Sequence, residues 1–291
     1  MKTTIDVWQK AGNISAQARD YGRELCVIGA SALDIVEKVE QKIRQLGGKP
    51  SFPVDISLNQ MAAHVSPHPH DPLKLQKGDI VKLDLGAHVD GYVTDTEITV
   101  EVGSNKNLKL IKAAEDALQA AIDVVKPGVK LCQIGAAISE VIRGAGFNPI
   151  TNLSGHGVGQ WIVHDAPSIP NYNNGDQTKL VEGQKIAIEP FATTGEGKVK
   201  DGKPSGIYGL VHLKPVRLDS ARKMIQFIQK EYQTLPFCLR WVNHLPNAKF
   251  ILAYLEKEGV IHQYPELVER TGGLVSQKEH TLSVGRGVLT K

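Results

Sequence analysis

Five residues spread along the chain are of the types that hard or borderline divalent cations take as ligands: Asp84, Asp95, His156, Glu189 and Glu279. Each stands in an otherwise apolar run or a tight glycine-rich segment, where an unpaired charge is costly. The first two belong to KLDLGAHVDGYVTDTEITV, in which alternating runs at 81–85 and 92–96 flank Asp90-Gly91. Asp-Gly between such runs is a strong β-hairpin signal. With Asp90-Gly91 as the loop, Asp84 lies opposite Glu97 and diagonal to Asp95. Diagonal partners share a face at roughly 7–8 Å, so both carboxylates point into one space and repel unless a cation sits between them.

Glu189 lies in KIAIEPF, and Glu279 in LVSQKEHTLSV with Val275 and Gln277 on its face. His156 lies in LSGHGVG, read as a glycine-rich turn over 152–159. Its spacing departs from GxGxxG and no Lys-Ser/Thr follows, so it is not a phosphate cradle. Taken singly, each residue has a plain reading: a buried ion-pair partner for Glu189, an exposed strand charge for Glu279, a loop residue for His156. Together, four carboxylates and one imidazole suit two divalent ions sharing bridging carboxylates. Such ions acidify a water, polarise a carbonyl and stabilise a tetrahedral oxyanion. A ligand set without cysteine speaks against structural zinc.

The elements that must position these residues are partly legible. Apolar residues at helical spacing predict helices over 4–22 (Ile5, Trp8, Ala11, Ile14, Ala18), 31–46, 107–125 and 131–144. Ser31 followed by Asp34 resembles a capping arrangement for the second. SFPVDISLNQMAAHVSP reads as a short strand or loop leading to His64, and 195–209, rich in Gly and Lys, as an exposed loop. Single strands are expected over 185–191 and 274–284. From 213 to 269 the composition turns helical, with Asp219-Ser220 placed to cap ARKMIQFIQKEY and NAKFILAYLEKEG forming a second helix.

The chain's 291 residues allow a large core, and 41% apolar with 22% charged residues fits an ordinary globular protein. A net charge of +3 creates no strong field for nucleic acid or membrane. Three widely spaced cysteines, Cys26, Cys132 and Cys238, form neither a disulfide framework nor a zinc set and point to a reducing compartment. No signal-like or membrane-length apolar run is present, so a cytoplasmic protein without membrane contact is expected.

KLDLGAHVDGYVTDTEITV, SGHGVGQWIVHDAPSIPNY, IAIEPF and SQKEHT resemble, in the same order, segments of the methionine aminopeptidases. The helical insertion and the Met61-Ala62-Ala63-His64 run resemble the type 2 subfamily in its short archaeal-like form. The resemblance implies a mixed α/β (α+β) "pita-bread" fold, a curved antiparallel sheet covered by helices. The catalytic body would be 1–212 with 270–291, and 213–269 the helical insertion subdomain. It implies two divalent ions per chain (cobalt, manganese, iron or zinc). Asp84 would chelate one and His156 bind the other; Asp95 and Glu279 would bridge, and Glu189 would complete the second. A water would attack the carbonyl after an N-terminal methionine, with Glu189 carrying its proton to the leaving amine.

His164 would contact the substrate amide, and His64 would orient the peptide and be open to alkylation by fumagillin-like epoxides. Phe52, Pro53, Ile56, Val163 and Tyr264 would form the thioether pocket, Pro53 and Ile56 being nearly as readable as core. His68, His70, His88 and His280 have no counterpart. The expected partner is the N-terminal methionine of nascent polypeptides, met by a monomer with at most transient ribosome contact. Xaa-Pro aminopeptidases and prolidases share the fold, but they usually carry an extra N-terminal domain for which the 80-odd residues before Asp84 leave little room. A non-catalytic binding protein on this fold is opposed by the presence of all five ligands. Basic residues Lys214, Arg217, Arg222, Lys223 and Arg240 are interspersed with acids and read as a solvated face before a nucleic-acid module.

Overall fold

Two helices open the chain, α1 (Thr4–Leu25) and α2 (Ala32–Gln45). The structure, a computed structural model, describes residues 4–291, and side chains from Asp6 onward. Residues 1–3 of the expected catalytic body and the Ile5 side chain of the expected stripe lie outside the described residues. Ser31 Oγ accepts the Asp34 N–H at 3.2 Å, an N-cap that satisfies one orphan donor. Ile35, Val36, Val39 and Ile43 form the buried stripe of α2.

Short strands β1 (Lys49–Pro50), β2 (Asp55–Leu58) and β3 (Met61–Ala63) follow. The hairpin comprises β4 (Ile80–Leu85), β5 (Ala87–Val89), β6 (Tyr92–Val93) and β7 (Thr96–Glu101). Asp90 and Gly91 have φ of 53° and 84°, the left-handed pair that a type I′ turn requires. One register runs its length, from Val89 opposite Tyr92 to Asp84 opposite Glu97. The ribbon bends at Gly86, where a Cβ would fall 2.2 Å from the Thr94 carbonyl oxygen. Beyond the bend β5 pairs with β1, while β4 and β7 enter the main sheet.

Helices α3 (Leu108–Val124) and α4 (Leu131–Gly144) lead to β8 (Asn148–Pro149), β9 (Ser154–Gly159) and β10 (Ile162–Pro170). Next come β11 (Lys185–Ile188), β12 (Phe191–Thr193) and β13 (Val199–Leu210). Residues 213–260 contain α5 (Asp219–Glu231), β14 (Phe237–Cys238), α6 (Leu239–Val242) and α7 (Ala248–Lys257). The chain closes with β15 (Ile261–Glu269), β16 (Val275–Gln277), β17 (Glu279–Ser283) and β18 (Gly287–Val288).

The main sheet is antiparallel in the order β10-β9-β11-β17-β7-β4-β2, with β18 on β17. The pair α1 and α2 packs through Ala18, Ile35, Val39 and Ile43 on Ile56, Val81, Leu83 and Leu85. The pair α3 and α4 packs through Leu110, Ala114, Ile134 and Ile138 on Ile186, Ile188 and Leu282. Smaller sheets, β16-β12-β8 and β14-β13-β15-β3, complete the curved walls. This is the α/β pita-bread architecture that the resemblance implies. Residues 216–261 bury a core of their own, with Met224, Ile228, Phe237, Leu252 and Leu255, against Tyr208 and Leu210 of β13. No helix among the described residues is long and apolar enough to cross a membrane.

Several local expectations are corrected. The 152–159 stretch is largely strand β9, between β10 and β11, not a turn: its glycines let neighbouring backbones close in, since a Cβ would fall 2.3 Å from Ala187 O at Gly155 and 2.2 Å from Ala166 O at Gly157. The 195–209 stretch is mostly β13, held by its pairing with β15, a long-range partner that no local pattern displays. Each expected single strand over 185–191 and 274–284 is two strands in different sheets. The first breaks at Glu189-Pro190, where proline has no N–H for the ladder, and the second at Lys278, whose N–H reaches the Pro190 carbonyl. Helix α5 begins at Asp219 after Leu218 with no side-chain cap. The last nine residues of the 213–269 segment are strand β15, paired with β13 and β3.

Candidate active site

A row of carboxylates crosses the main sheet. Asp55 on β2 is opposite Asp84 on β4, Asp84 is opposite Glu97 on β7, and Glu97 is opposite Glu279 on β17. Directly opposed residues project from one face. Ile188 pairs with His280, so Glu189 follows at the end of β11 beside Glu279. Asp95, two residues before Glu97, joins the same face; its backbone N–H donates to Thr281 Oγ1 at 2.7 Å. His156 on β9 is opposite Ala187 of β11, which brings its ring to the acidic row.

The His156 Nε2 lies 3.7 Å from Asp95 Oδ2 and 3.7 Å from Glu189 Oε1. Its Nδ1 is 3.0 Å from the Gly157 carbonyl oxygen, an acceptor only, so Nδ1 carries the proton and the Nε2 lone pair faces the acids. Burial pushes the ring pKa down to about 4, which keeps it neutral. Single ligand atoms of Asp95, His156 and Glu279 lie within 4.8 Å of one another, all three residues buried. Asp84 Oδ1, Asp95 Oδ1 and both Glu279 carboxylate oxygens are buried without a hydrogen-bond partner. Burial first, then the neighbouring acids, pushes the Asp84 and Glu279 carboxyls well above the usual carboxylate range; burial and the Glu189 charge do so for Asp95, and burial with Asp84 and Glu97 for Glu189. A lone pair and several bare carboxylate oxygens facing each other is unfavourable without cations and is the donor set that divalent ions complete. The residues fit a metal centre.

Above the row is a cavity of about 340 Å³ lined in part by Phe52, Asp55, His64, Asp84, Asp95, His156, Val163, His164, Glu189 and Tyr264. Phe191, Ile207, Pro236 and Leu267 add apolar wall, and Asn152 and Ser154 a polar edge. Strand β10 brings Val163 and His164, whose ring centroid is 4.5 Å from that of His156; burial pushes its pKa down to about 3, helped by His156 and His64. His64 stands at left-handed φ of 62°, its N–H donating to Asp55 Oδ2 at 2.5 Å and its ring 5.8 Å from Tyr264.

Two expected pocket residues stand elsewhere. Ile56 is wholly buried in the core under α1 and α2, because it alternates with Asp55 along β2 and takes the opposite face. Pro53 is buried but absent from the cavity wall. Asp55, Glu97 and Gln277 are not among the expected site residues, although the sequence pattern sets Glu97 opposite Asp84 and Gln277 on the face of Glu279. Gln277 Nε2 donates to Glu189 Oε2 at 3.1 Å, and burial pushes the Asp55 carboxyl up to about 7 despite the His64 and Val65 amides. An acid inside the apolar run VDISL is the one signal for Asp55. His68 and His70 border a separate cleft, and His280 turns to Thr290 Oγ1 at 3.0 Å.

Residues 6–227 match metallopeptidase family M24. The chain is similar to the methionine aminopeptidase of Archaeoglobus fulgidus, 45% identical over 97% of this chain and 95% of that protein. Among solved structures, a methionine aminopeptidase from Thermotoga maritima superposes with TM-score 0.72, at 25% identity, over 100% of this chain and 98% of its own. A thermophilic Arx1 superposes with TM-score 0.82 over 97% of this chain and 89% of its own; at 20% identity that likeness is one of fold. The chain belongs to metallopeptidase family M24, among the methionine aminopeptidases.

Proposed function

We propose that this protein removes the N-terminal methionine from peptides and nascent polypeptides by hydrolysis at a centre of two divalent ions. The observation that carries the reading is the His156 Nε2 lone pair aimed at Asp95 and Glu189 beside unpartnered carboxylate oxygens. As a member of its family the enzyme uses divalent metal; Asp84, Asp95, His156, Glu189 and Glu279 are the residues that would hold it. When bound, the ions supply Lewis-acid polarisation of the scissile carbonyl and a lowered water pKa.

The remaining work falls to the chain's own side chains. Phe52, Val163 and Tyr264, with Phe191, Ile207 and Leu267, bind the unbranched thioether in an apolar wall that excludes water. Asp84 at the floor accepts the free α-amine, which makes the enzyme an exopeptidase. Glu189, oriented by Gln277, takes the proton of the attacking water and delivers it to the leaving amine. His164 donates to the substrate amide oxygen, and His64 orients the peptide across the mouth. The 213–269 insertion contributes wall to the pocket, through Pro236 and Tyr264. A cytoplasmic monomer that meets its substrate at, or soon after leaving, the ribosome accords with this reading.

The test is substrate choice. Manganese-loaded enzyme should release methionine from Met-Ala-Ser and leave N-acetyl-Met-Ala-Ser intact. Faster turnover of Xaa-Pro peptides than of Met-Ala-Ser would replace the proposal with a prolidase-like activity.

A further inference from the structure

Glu97 is a carboxylate inside the site that none of the five ligand roles absorbs. It is fully enclosed, 0% exposed, and stands in register with Asp84 on one side and Glu279 on the other. Opposed residues on antiparallel strands share a face with Cβ atoms about 4.5–5.5 Å apart. The Glu97 side chain therefore rises between two of the proposed metal ligands. Its Oε1 lies 3.0 Å from Thr99 Oγ1, while Oε2 is buried with no hydrogen-bond partner.

A buried lysine accompanies it. Lys82 precedes Asp84 by two residues on β4, so it shares that face, and it is opposite Thr99. It is 1% exposed, and its Nζ donates to the Asn59 carbonyl at 3.1 Å and the Val275 carbonyl at 3.0 Å. Both acceptors are neutral, so its charge is left for the acidic row. Counting formal charges, the carboxylates of Asp84, Asp95, Glu189 and Glu279 balance two dications with His156 neutral. Glu97 and Asp55 are then the two surplus carboxylates of the row, and the positive charges that face them are Lys82, beside both, and Lys278, beside Glu97. Burial of either sign alone would be strongly unfavourable.

We propose, on the two-metal reading of the site, that Glu97 is a positioning residue for the metals: a buried carboxylate, flanked in register by Asp84 and Glu279 and facing the lysines Lys82 and Lys278, that holds those two ligands facing the cations and strengthens cation binding. Groups that orient metal ligands without binding metal themselves typically change affinity about 10–100-fold when lost. A fully buried carboxylate with an unpartnered oxygen among other acids is costly when no cation completes the row, so removal of Glu97 has opposite effects on the two forms.

The experiment is calorimetric titration of metal-stripped full-length protein with MnCl₂, paired with thermal melts with and without Mn²⁺. Glu97→Gln should weaken Mn²⁺ binding about 10–100-fold, raise the Tm of the metal-free protein and lower the Tm at a fixed Mn²⁺ concentration. Glu97→Asp, which keeps the charge but shortens its reach, should weaken binding less, and it decides the matter if Glu97→Gln does not fold. Unchanged affinity in the variant that folds, or an equal fall of Tm in both forms, would overturn the role of Glu97. Failure of the wild type to bind Mn²⁺ would instead overturn the two-metal reading on which it rests.

Discussion

The Nδ1 of His64 lies 3.2 Å from the carbonyl oxygen of Pro265. A carbonyl only accepts, so Nδ1 carries the proton and Nε2 keeps its lone pair. Burial lowers the ring's pKa, and a neutral imidazole in a cavity wall is a competent nucleophile. Fumagillin-like epoxides should label the enzyme once, on His64 Nε2, as read by peptide mass mapping. His64→Asn should abolish labelling, and a label on any other residue would refute the assignment.

Glu40 and Arg240 form a bidentate pair at 2.7 and 3.1 Å, both side chains 3% exposed. Trp241 Nε1 adds a hydrogen bond to Glu40 at 2.8 Å, Arg240 Nε reaches the Pro67 carbonyl, and Glu40 Oε1 takes the Val54 N–H at 3.3 Å. The pair thus fastens α6 to α2 and to Val54, the residue before the strand that bears Asp55. Arg240→Ala should cost about 3–5 kcal/mol in denaturant unfolding, because it strands a buried carboxylate. The double variant Glu40→Leu/Arg240→Met should recover much of that loss. A double variant no more stable than Arg240→Ala would show that packing, not the stranded charge, sets the cost.

His88 supports the hairpin turn, its Nδ1 accepting the Gly91 N–H at 3.1 Å and its ring 5.0 Å from Trp161. Burial, then the Lys49 charge, pushes its pKa down to about 4 from an ordinary 6.5. The unfolded chain takes up a proton below about pH 6.5 that the folded protein refuses until about pH 4. Its contribution is therefore complete above pH 6.5 and is lost as pH falls to 4, a change of roughly 3 kcal/mol. In urea unfolding, His88→Gln should lose less stability than wild type between pH 6.5 and 4.5. Parallel pH profiles for the two proteins would refute this.

The parts of the molecule legible in the sequence are those set by local periodicity. Ile35, Val36, Val39 and Ile43 marked α2 because a helix repeats every 3.6 residues, and Asp90-Gly91 marked the hairpin because few residues tolerate its turn. That turn also set the Asp84–Glu97 register, now seen continuing across the sheet. What was hidden depends on distant chain. SGHGVG reads as a turn until Ala187 and Ala166 press on Gly155 and Gly157. Asp55 faces the cavity only because β2 pairs with β4, and Glu97 stands beside Glu279 only because β17 pairs with β7. Ile56 takes the core face by the alternation of β2, opposite to Asp55 on the cavity face.

The measurement that tests the metal-centre account most directly is methionine release from Met-Ala-Ser by metal-stripped enzyme, before and after titration with manganese, iron or cobalt, beside Asp95→Asn. The account predicts no release without metal, recovery as about two equivalents bind, and at least a hundredfold loss in Asp95→Asn, since Asp95 lies 3.7 Å from His156 at the centre. Full activity in demonstrably metal-free enzyme, or wild-type turnover by Asp95→Asn, would contradict it.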